Sequence, residues 1–241
     1  MSQQGLARSV RLFRLFLREQ ADPGLFYGAL AQDAVSRVAA YGDLAGKTVV
    51  DVGGGPGYFT TEFRAAGAHC YLFEPERDEL LKGGDTPEGA VLADGCWLPV
   101  RDGSADICFL SNVLEHVADP TGLLGEMVRV TRPGGLIYLS FTNWYSPWGG
   151  HETSPWHYLG VRYAEQRYRD RHGHEPKNHV GSTLFRLHIG ATLRMARSLH
   201  GAEIIDARPC YYPRWCAFLV GIPLLREVLT WNLLLVLRRT G

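Results

Sequence analysis

The sequence predicts an α/β fold built on an open, doubly wound sheet. Short apolar runs rich in β-branched residues alternate with segments of helical periodicity, and the first such run, Lys47–Asp51, leads into a glycine-rich turn. Strands that alternate with helices at this spacing form parallel βαβ units. Sheets of this kind bind ligands at the carboxyl ends of their strands. We therefore expect the functional residues directly after the strands.

The elements begin with two helices. Arginines interleave with apolar residues from Leu6 to Glu19, which predicts an amphipathic helix. After a break at Asp22-Pro23-Gly24, a second helix runs from Phe26 to Tyr41. The remaining segments are predicted as strands (Lys47–Asp51, Cys70–Glu74, Ala90–Ala93, Asp106–Ser111, Leu136–Phe141, Gly201–Ala207 and Asn232–Arg238) and as helices between them (Phe59–Ala66, Arg77–Lys82 and Thr121–Thr131).

The chain of 241 residues is expected to form one domain. About 60 residues separate the fifth and sixth strands, whereas a helical crossover needs only about a dozen. An insert therefore lies on the ligand-binding side. We divide the domain into an N-terminal helical cap (1–45), a ligand-binding core (46–143), the insert (144–198) and the C-terminal strands (199–241).

Composition excludes several functional classes. Lys+Arg and Asp+Glu both number 25, so the formal net charge is zero, which argues against a nucleic-acid partner. The five cysteines form no CxxC pair and are typical of reduced, buried thiols in a cytosolic protein. The apolar runs Trp215–Leu225 and Val228–Leu237 are shorter than the ~18–20 residues that cross a bilayer.

A peripheral membrane contact stays open as an alternative. The first helix carries arginines at 8, 11, 14 and 18, which the helical spacing places on one face. Such a helix either covers the core or lies on a membrane surface. The apolar stretch after Tyr211 either packs against this helix or touches a lipid or a bulky apolar substrate.

The glycine-rich turn after the first strand carries the main chemical signal. A dinucleotide-binding G-x-G-x-x-G pattern that starts at Gly53 would need glycine at position 58, where Tyr58 stands. The pattern that fits is D-x-G-x-G-x-G, formed by Asp51, Gly53, Gly55 and Gly57. This spacing resembles motif I of the class I S-adenosylmethionine-dependent methyltransferases.

Later segments extend the resemblance over roughly residues 46–143. An acid, Glu74, ends the second strand, Asp94-Gly95 follows the third, and the segment 111–116 (Ser-Asn-Val-Leu-Glu-His) follows the fourth. Arg-Pro-Gly-Gly at 132–135 precedes the fifth strand. The resemblance implies a Rossmann-like seven-stranded sheet whose last strand is antiparallel, and S-adenosylmethionine as cofactor.

The resemblance also implies roles for these residues. Asp51 would hold the ammonium group, Glu74 the ribose hydroxyls and Asp94-Gly95 the adenine, while Ser111 and Asn112 would offer backbone groups. The alternatives are structural: Asp51 could cap the following turn, Glu74 could be an ordinary acid at a strand end, and Asp94 could belong to an Asp-Gly turn.

Candidates for the reaction lie in the loop 144–158, which contains five tryptophan and tyrosine residues and the sequence Gly-Gly-His-Glu. His151 with the adjacent Glu152 is the best candidate for a general base, since an imidazole with a pKa near 6.5 accepts a hydroxyl proton at neutral pH. His116 is a second candidate. Packing roles for both histidines stay open. The Gly-Gly-His-Glu loop resembles a group of uncharacterised bacterial members.

No metal site is expected. His172, His174 and His179 match no standard zinc spacing, and the basic residues from 161 to 177 form either a solvated helical face or a rim for an acidic substrate. The predicted function is methyl transfer to a small-molecule, sugar or lipid-linked acceptor, at a hydroxyl oxygen rather than at nitrogen or carbon. The alternative of another class is a non-catalytic module that binds the cofactor as a scaffold or regulator.

Overall fold

A computed structural model describes residues 5–19, 21–82 and 86–241. Its centre is a seven-stranded sheet with the order β3-β2-β1-β4-β5-β7-β6. The strands are β1 Thr48–Val52, β2 His69–Glu74, β3 Val91–Leu92, β4 Ala105–Ser111, β5 Thr131–Thr142, β6 Ala202–Pro209 and β7 Asn232–Arg239. The helices are α1 Leu6–Phe16, α2 Pro23–Ala39, α3 Tyr58–Ala65, α4 Arg77–Leu81, α5 Pro120–Val130, α6 Val161–His172, α7 Ile189–Ser198 and α8 Leu225–Leu229.

The sheet confirms the predicted doubly wound, Rossmann-like architecture. Strands β1 to β5 pair in parallel, whereas β7 is antiparallel to both of its neighbours, β5 and β6. Apolar clusters pack on both faces of the sheet, one around Leu110 and Leu139 and the other around Phe109 and Tyr138. Burial on both faces explains why the central strands are nearly continuous apolar runs.

Strand β5 begins earlier than the sequence predicts. The helix α5 ends at Val130, and the strand already starts at Thr131 although Pro133, Gly134 and Gly135 follow. Thr131 pairs with Ala105, and the register then shifts before Ile107 pairs with Leu136. The irregularity accommodates the proline and the glycines. A segment that was expected to form a turn before the strand therefore belongs to the strand.

The predicted insert between β5 and β6 contains two 3₁₀ turns, His151–Thr153 and Trp156–Leu159, followed by α6 and α7. His157 is buried and its Nε2 atom lies 3.1 Å from the carbonyl oxygen of Trp144, which holds the loop against the end of β5. Residues 183–185 return to the segment after β4, because the Phe185 amide donates to the Glu115 carbonyl oxygen at 2.7 Å. The insert therefore covers the carboxyl edge of the central strands.

The first helix corrects one expectation, that Arg8 shares the exposed face of the other arginines. Arg8 is buried, and its guanidinium bonds Asp33 of α2 and the carbonyl oxygen of Cys210. Arg8 is therefore part of the buried side of the helix, while Arg11, Arg14 and Arg18 are exposed. Among the described residues, no helix combines the length and the apolarity that crossing a membrane requires.

Candidate active site at the carboxyl edge of the sheet

The turn between β1 and α3 depends on its glycines. Gly53, Gly55 and Gly57 have φ angles of +68°, +50° and +84°, a left-handed conformation that other residues rarely adopt. A Cβ atom on Gly53 would lie 2.6 Å from Cγ2 of Val113, and one on Gly57 would lie 2.7 Å from Cγ of Pro87. The turn is therefore packed closely against its neighbours, and its backbone can approach a ligand at the edge of the sheet.

Two buried carboxylates flank this turn. Asp51 is only 1% exposed and accepts a hydrogen bond from Thr60 Oγ1 at 2.6 Å. Glu74 accepts bonds at 3.1 Å from the amides of Gly55 and Glu76. Burial raises the pKa of Asp51 to about 7 and also raises the pKa of Glu74. Within residues 5–19, 21–82 and 86–241, neither acid forms an ion pair.

A ligand with a positive charge and several hydroxyl groups fits this edge. A cation beside Asp51 would offset the desolvation of its carboxylate. The oxygens of Glu74 keep lone pairs beyond the two that accept backbone amides. The residues predicted as a cofactor set, namely Asp51, the three glycines and Glu74, are thus brought together.

Asp94 and Gly95 continue the same edge. The Ala93 amide donates to the Glu74 carbonyl oxygen at 3.1 Å, which places the turn after β3 beside the end of β2. Asp94 is exposed, and its Oδ1 accepts a bond from the Cys96 amide at 2.8 Å. A Cβ atom on Gly95 would lie 2.9 Å from Val52 and from Leu123. Asp94 thus forms an Asp-Gly turn, which was the structural alternative to a role in binding adenine. The turn lies at the carboxyl edge of the sheet, so both interpretations stay open.

The side chains of Ser111 and Asn112, at the end of β4, form hydrogen bonds within the protein. Ser111 Oγ lies 3.1 Å from Ser140 Oγ. Asn112 has a φ of +54°, and its Oδ1 accepts a bond from Asn232 Nδ2 at 3.1 Å. The Asn112 amide itself donates to the Ser140 carbonyl oxygen at 2.8 Å. That Ser111 and Asn112 present their backbone to a ligand stays a prediction.

A cluster of Glu115, His116 and His151 lies on the insert side of this edge. One potential ligand atom of each residue lies within 4.8 Å of the others. The two imidazole rings meet edge to face, with centroids 4.9 Å apart. The same three groups could pass a proton or hold a divalent metal ion. This Glu115–His116–His151 cluster brings together two residues that the sequence predicts as catalytic and one, Glu115, that it does not single out.

Each member of the cluster has a defined environment. Glu115 is 1% exposed, one carboxylate oxygen accepts the Thr142 amide at 2.9 Å, and the other has no hydrogen-bond partner among the described residues. His116 Nδ1 lies 2.7 Å from the Thr183 carbonyl oxygen. Since that oxygen can only accept, Nδ1 carries a proton and donates to it.

His151 is held at the tip of the loop in a strained conformation. Its φ is +49°, and its Nε2 is buried without a partner among the described residues. Burial, together with the nearby His116, lowers the pKa of His151 to about 4. Such strain at a polar residue is often found at functional sites.

Glu152 forms no hydrogen bond with His151 among the described residues, although its charge acts to raise the pKa of that histidine. Glu152 is exposed and accepts bonds at 2.8 and 3.0 Å from Asn178 Nδ2. Glu115 lies beside the histidines as well, because the turn after β4 and the loop after β5 meet at the sheet edge. The sequence feature that could have indicated Glu115 is the Glu-His pair in the turn that follows a predicted strand.

The histidines and basic residues between 161 and 177 make contacts within the insert. His174 Nδ1 lies 2.8 Å from the Glu175 carbonyl oxygen. Arg169 pairs with Glu175 at 2.9 Å and Arg167 stacks over Trp156. These contacts agree with the solvated helical face considered for residues 161–177.

Comparison with solved structures identifies the fold. A methyltransferase dependent on S-adenosylmethionine from Mesorhizobium loti is 23% identical, with a TM-score of 0.58 over 87% of this chain and 98% of that one. The magnesium protoporphyrin IX methyltransferase of Synechocystis, solved with bound S-adenosylmethionine, is 14% identical, with a TM-score of 0.54 over 92% of this chain and 83% of that one. Both likenesses show the fold of the class I methyltransferases.

Sequence relatives make the assignment specific. Residues 50–139 match the family model described as a methyltransferase domain. An uncharacterised methyltransferase of Mycolicibacterium vanbaalenii is 50% identical over 246 aligned positions, which cover 97% of this chain and 94% of that protein. The chain belongs to the class I S-adenosylmethionine-dependent methyltransferases, as the sequence resemblance predicted.

Proposed function

We propose that this methyltransferase binds S-adenosylmethionine at the glycine turn and transfers its methyl group to a hydroxyl oxygen of a small-molecule, sugar or lipid-linked acceptor. The cofactor assignment is supported by two buried carboxylates that form no ion pair among the described residues, beside a turn whose left-handed conformations favour glycine. Asp51 would hold the ammonium group, Glu74 the ribose hydroxyls and the Asp94-Gly95 turn the adenine. The bound cofactor supplies an electrophilic methyl group.

The Glu115–His116–His151 cluster carries the proposal for the acceptor. It lies after β4 and β5, next to the strand ends that support the glycine turn. A hydroxyl oxygen becomes a better nucleophile when a positioned base takes its proton. His151 is neutral at pH 7 because burial holds its pKa near 4, so its lone pair is free, but the same burial makes it a weak base. Glu115, when ionised, would offset this by stabilising the positive charge that forms on the imidazole pair.

The remaining catalytic contribution is positional. Attack on a methyl carbon requires the nucleophile in line with the bond that breaks, and holding the two reactants in this geometry lowers the barrier. The contacts of Thr183 and Phe185 with the segment 115–116 keep the insert closed over this edge. Glu152, held by Asn178, would line the outer part of the acceptor site.

Two alternatives remain as outcomes of the same experiment. A nitrogen or carbon acceptor needs no base of this type, and a scaffold that only binds the cofactor would show no transfer at all. A nucleic-acid acceptor is not proposed, because the net charge of the chain is zero.

Replacement of His151 by alanine tests the proposed base. With methyl-labelled cofactor and fractionated small-molecule and lipid extracts as acceptors, we expect the rate of transfer to fall by about a hundredfold or more. The affinity for the cofactor should stay unchanged. His172→Ala, which changes a histidine on the exposed part of α6, is the matched control and should keep full activity.

Two results would refute this role. Equal transfer rates in His151→Ala and the native chain would exclude His151 as the base. Loss of transfer after treatment with a chelator, with recovery on adding a divalent cation, would show that the cluster acts by holding a metal ion.

A further inference from the structure

We infer that one face of the protein docks on the surface of an anionic phospholipid bilayer. The first part of this face is the outer side of α1. Leu6, Val10, Phe13 and Leu17 recur at helical spacing and are all exposed, the two leucines by 67% and 66%. The inner side of the helix is already occupied, since Arg8 and Leu12 are buried. The helix therefore has a second apolar stripe that the fold leaves in water.

The second part is the segment between β6 and β7. Trp215 and Phe218 lie in the 3₁₀ segment Arg214–Gly221 and are 73% and 57% exposed. Leu224, which is 81% exposed, precedes α8, and Val228 is exposed on that helix. Contiguous exposed side chains of this size are uncommon on a monomer and mark an interaction surface.

Aromatic contacts join the two parts into one surface. The rings of Phe13 and Phe16 in α1 pack against Trp148, with centroids 6.0 and 5.1 Å away. Trp148 in turn contacts Trp231 at 4.9 Å, and Trp231 contacts Tyr212 at 5.6 Å, just before the exposed 3₁₀ segment. We call the combined face, formed by α1 and residues 212–229, the apolar face.

The charge on this face selects the partner. Arg11, Arg14 and Arg18 are exposed and form no ion pair among the described residues, and α1 contains no acidic residue. Arg214 adds a further exposed positive charge beside Trp215. Arginines next to exposed aromatic and aliphatic side chains are the pattern that binds the anionic headgroups and upper acyl region of a membrane.

The apolar face borders the acceptor side of the site. The His151 amide donates to the Trp148 carbonyl oxygen at 2.9 Å, so the tryptophan at the centre of the aromatic contacts and the proposed base share one turn. Resting on the proposed function, this arrangement favours an acceptor held in the membrane by an apolar chain, whose polar headgroup reaches the site from the bilayer. It narrows the acceptor class to lipid or lipid-linked molecules.

Vesicle flotation of the full chain tests the inference. We expect flotation with vesicles of phosphatidylcholine and phosphatidylglycerol, and at least about tenfold weaker binding to phosphatidylcholine alone. The double variant Trp215→Ser/Phe218→Ser should bind the anionic vesicles at least about tenfold more weakly. Changing Arg11, Arg14 and Arg18 to Gln should weaken binding by about fivefold for each arginine.

Matched controls isolate the surface. Trp97→Ser removes a tryptophan that is 81% exposed outside the apolar face, and changing the exposed Arg162, Arg194 and Arg197 to Gln removes three positive charges elsewhere. Both controls should float like the native chain. Calorimetry with S-adenosylmethionine separates the two proposals, since the surface variants should keep full cofactor affinity while failing to float.

Three results would overturn the inference. The native chain could fail to float with anionic vesicles. The surface variants could float as well as the controls. Alternatively, sedimentation could show a dimer that Trp215→Ser/Phe218→Ser dissociates while no vesicle binding occurs, which would assign the face to a second copy of the chain.

Discussion

Glu115 shows how a single buried carboxylate connects the fold to the proposed chemistry. One oxygen accepts the Thr142 amide at the end of β5, and the other is buried without a hydrogen-bond partner among the described residues. Burial raises the pKa of this carboxyl group, and the nearby His116 opposes the shift. A buried charge of this kind lowers stability unless a ligand or a proton compensates it.

The stability of the Glu115→Gln variant should therefore depend on pH differently from that of the native chain. With the folded pKa above the unfolded value of 4.5, the folded chain keeps a proton that the unfolded chain loses. The contribution of Glu115 to stability is full below that value and is lost as the pH rises through the folded pKa. We expect the variant to gain stability relative to the native chain as the pH rises from 4.5 to 8 in urea unfolding experiments.

An exposed carboxylate supplies the control for this comparison. Glu88→Gln, at an exposed position, should differ from the native chain by the same free energy of unfolding at pH 4.5 and at pH 8. If Glu115→Gln behaved in the same way, the carboxyl group would not be desolvated in the folded chain.

The sequence predicts part of this site and not the rest. Asp51, Glu74 and the glycines could be assigned because they follow strands at the spacing of a known motif. Glu115 could not, because its partners Thr142 and Phe185 are distant in the sequence and meet it only after folding. The pairing of His151 with Glu152 stays a prediction, since Glu152 acts on the pKa of His151 through its charge but is hydrogen-bonded by Asn178.

At the scale of elements, a buried ion cluster attaches α1 to the rest of the molecule. Asp33 of α2 pairs with Arg8 of α1 at 2.5 Å and with Arg37 at 3.1 Å. Both arginines also donate to the Cys210 carbonyl oxygen at the end of β6. The cluster thus positions the helix that carries half of the apolar face.

Replacing Asp33 by alanine should destabilise the protein by about 3–5 kcal/mol, because two buried guanidinium groups would lose their counter-charge. Glu175→Ala breaks the exposed pair with Arg169 and should cost no more than about 1 kcal/mol. Urea unfolding measures both. Similar costs for the two variants would contradict a structural role for the buried cluster.

The elements themselves were largely predictable, and the exceptions have physical causes. Periodicity located all seven strands, but β5 extends to Thr131 because pairing with β4 overrides the turn preference of Pro133 and the glycines. The exposed face of α1 was also only partly predictable. Spacing predicts that the four arginines share a face. Only the structure shows that Arg8 is buried in an ion pair with Asp33.

At the scale of the molecule, the parallel arrangement of β1 to β5 explains why residues distant in the sequence form one site. The ends of β1, β2 and β3 deliver Asp51, Glu74 and Asp94 to one half of the edge. Strands β4 and β5 deliver His116 and His151 to the other half. The strand order places the proposed cofactor and acceptor groups side by side, and the apolar face borders the acceptor half.

Calorimetric titration with S-adenosylmethionine tests the central claim most directly. We expect one binding site in the native chain and affinities at least about tenfold lower in Asp51→Asn and in Glu74→Gln, since each loses a hydrogen bond made by a charged group. His151→Ala and the exposed variant Asp43→Asn should bind like the native chain. Native affinity in both Asp51→Asn and Glu74→Gln would contradict the placement of the cofactor at the glycine turn.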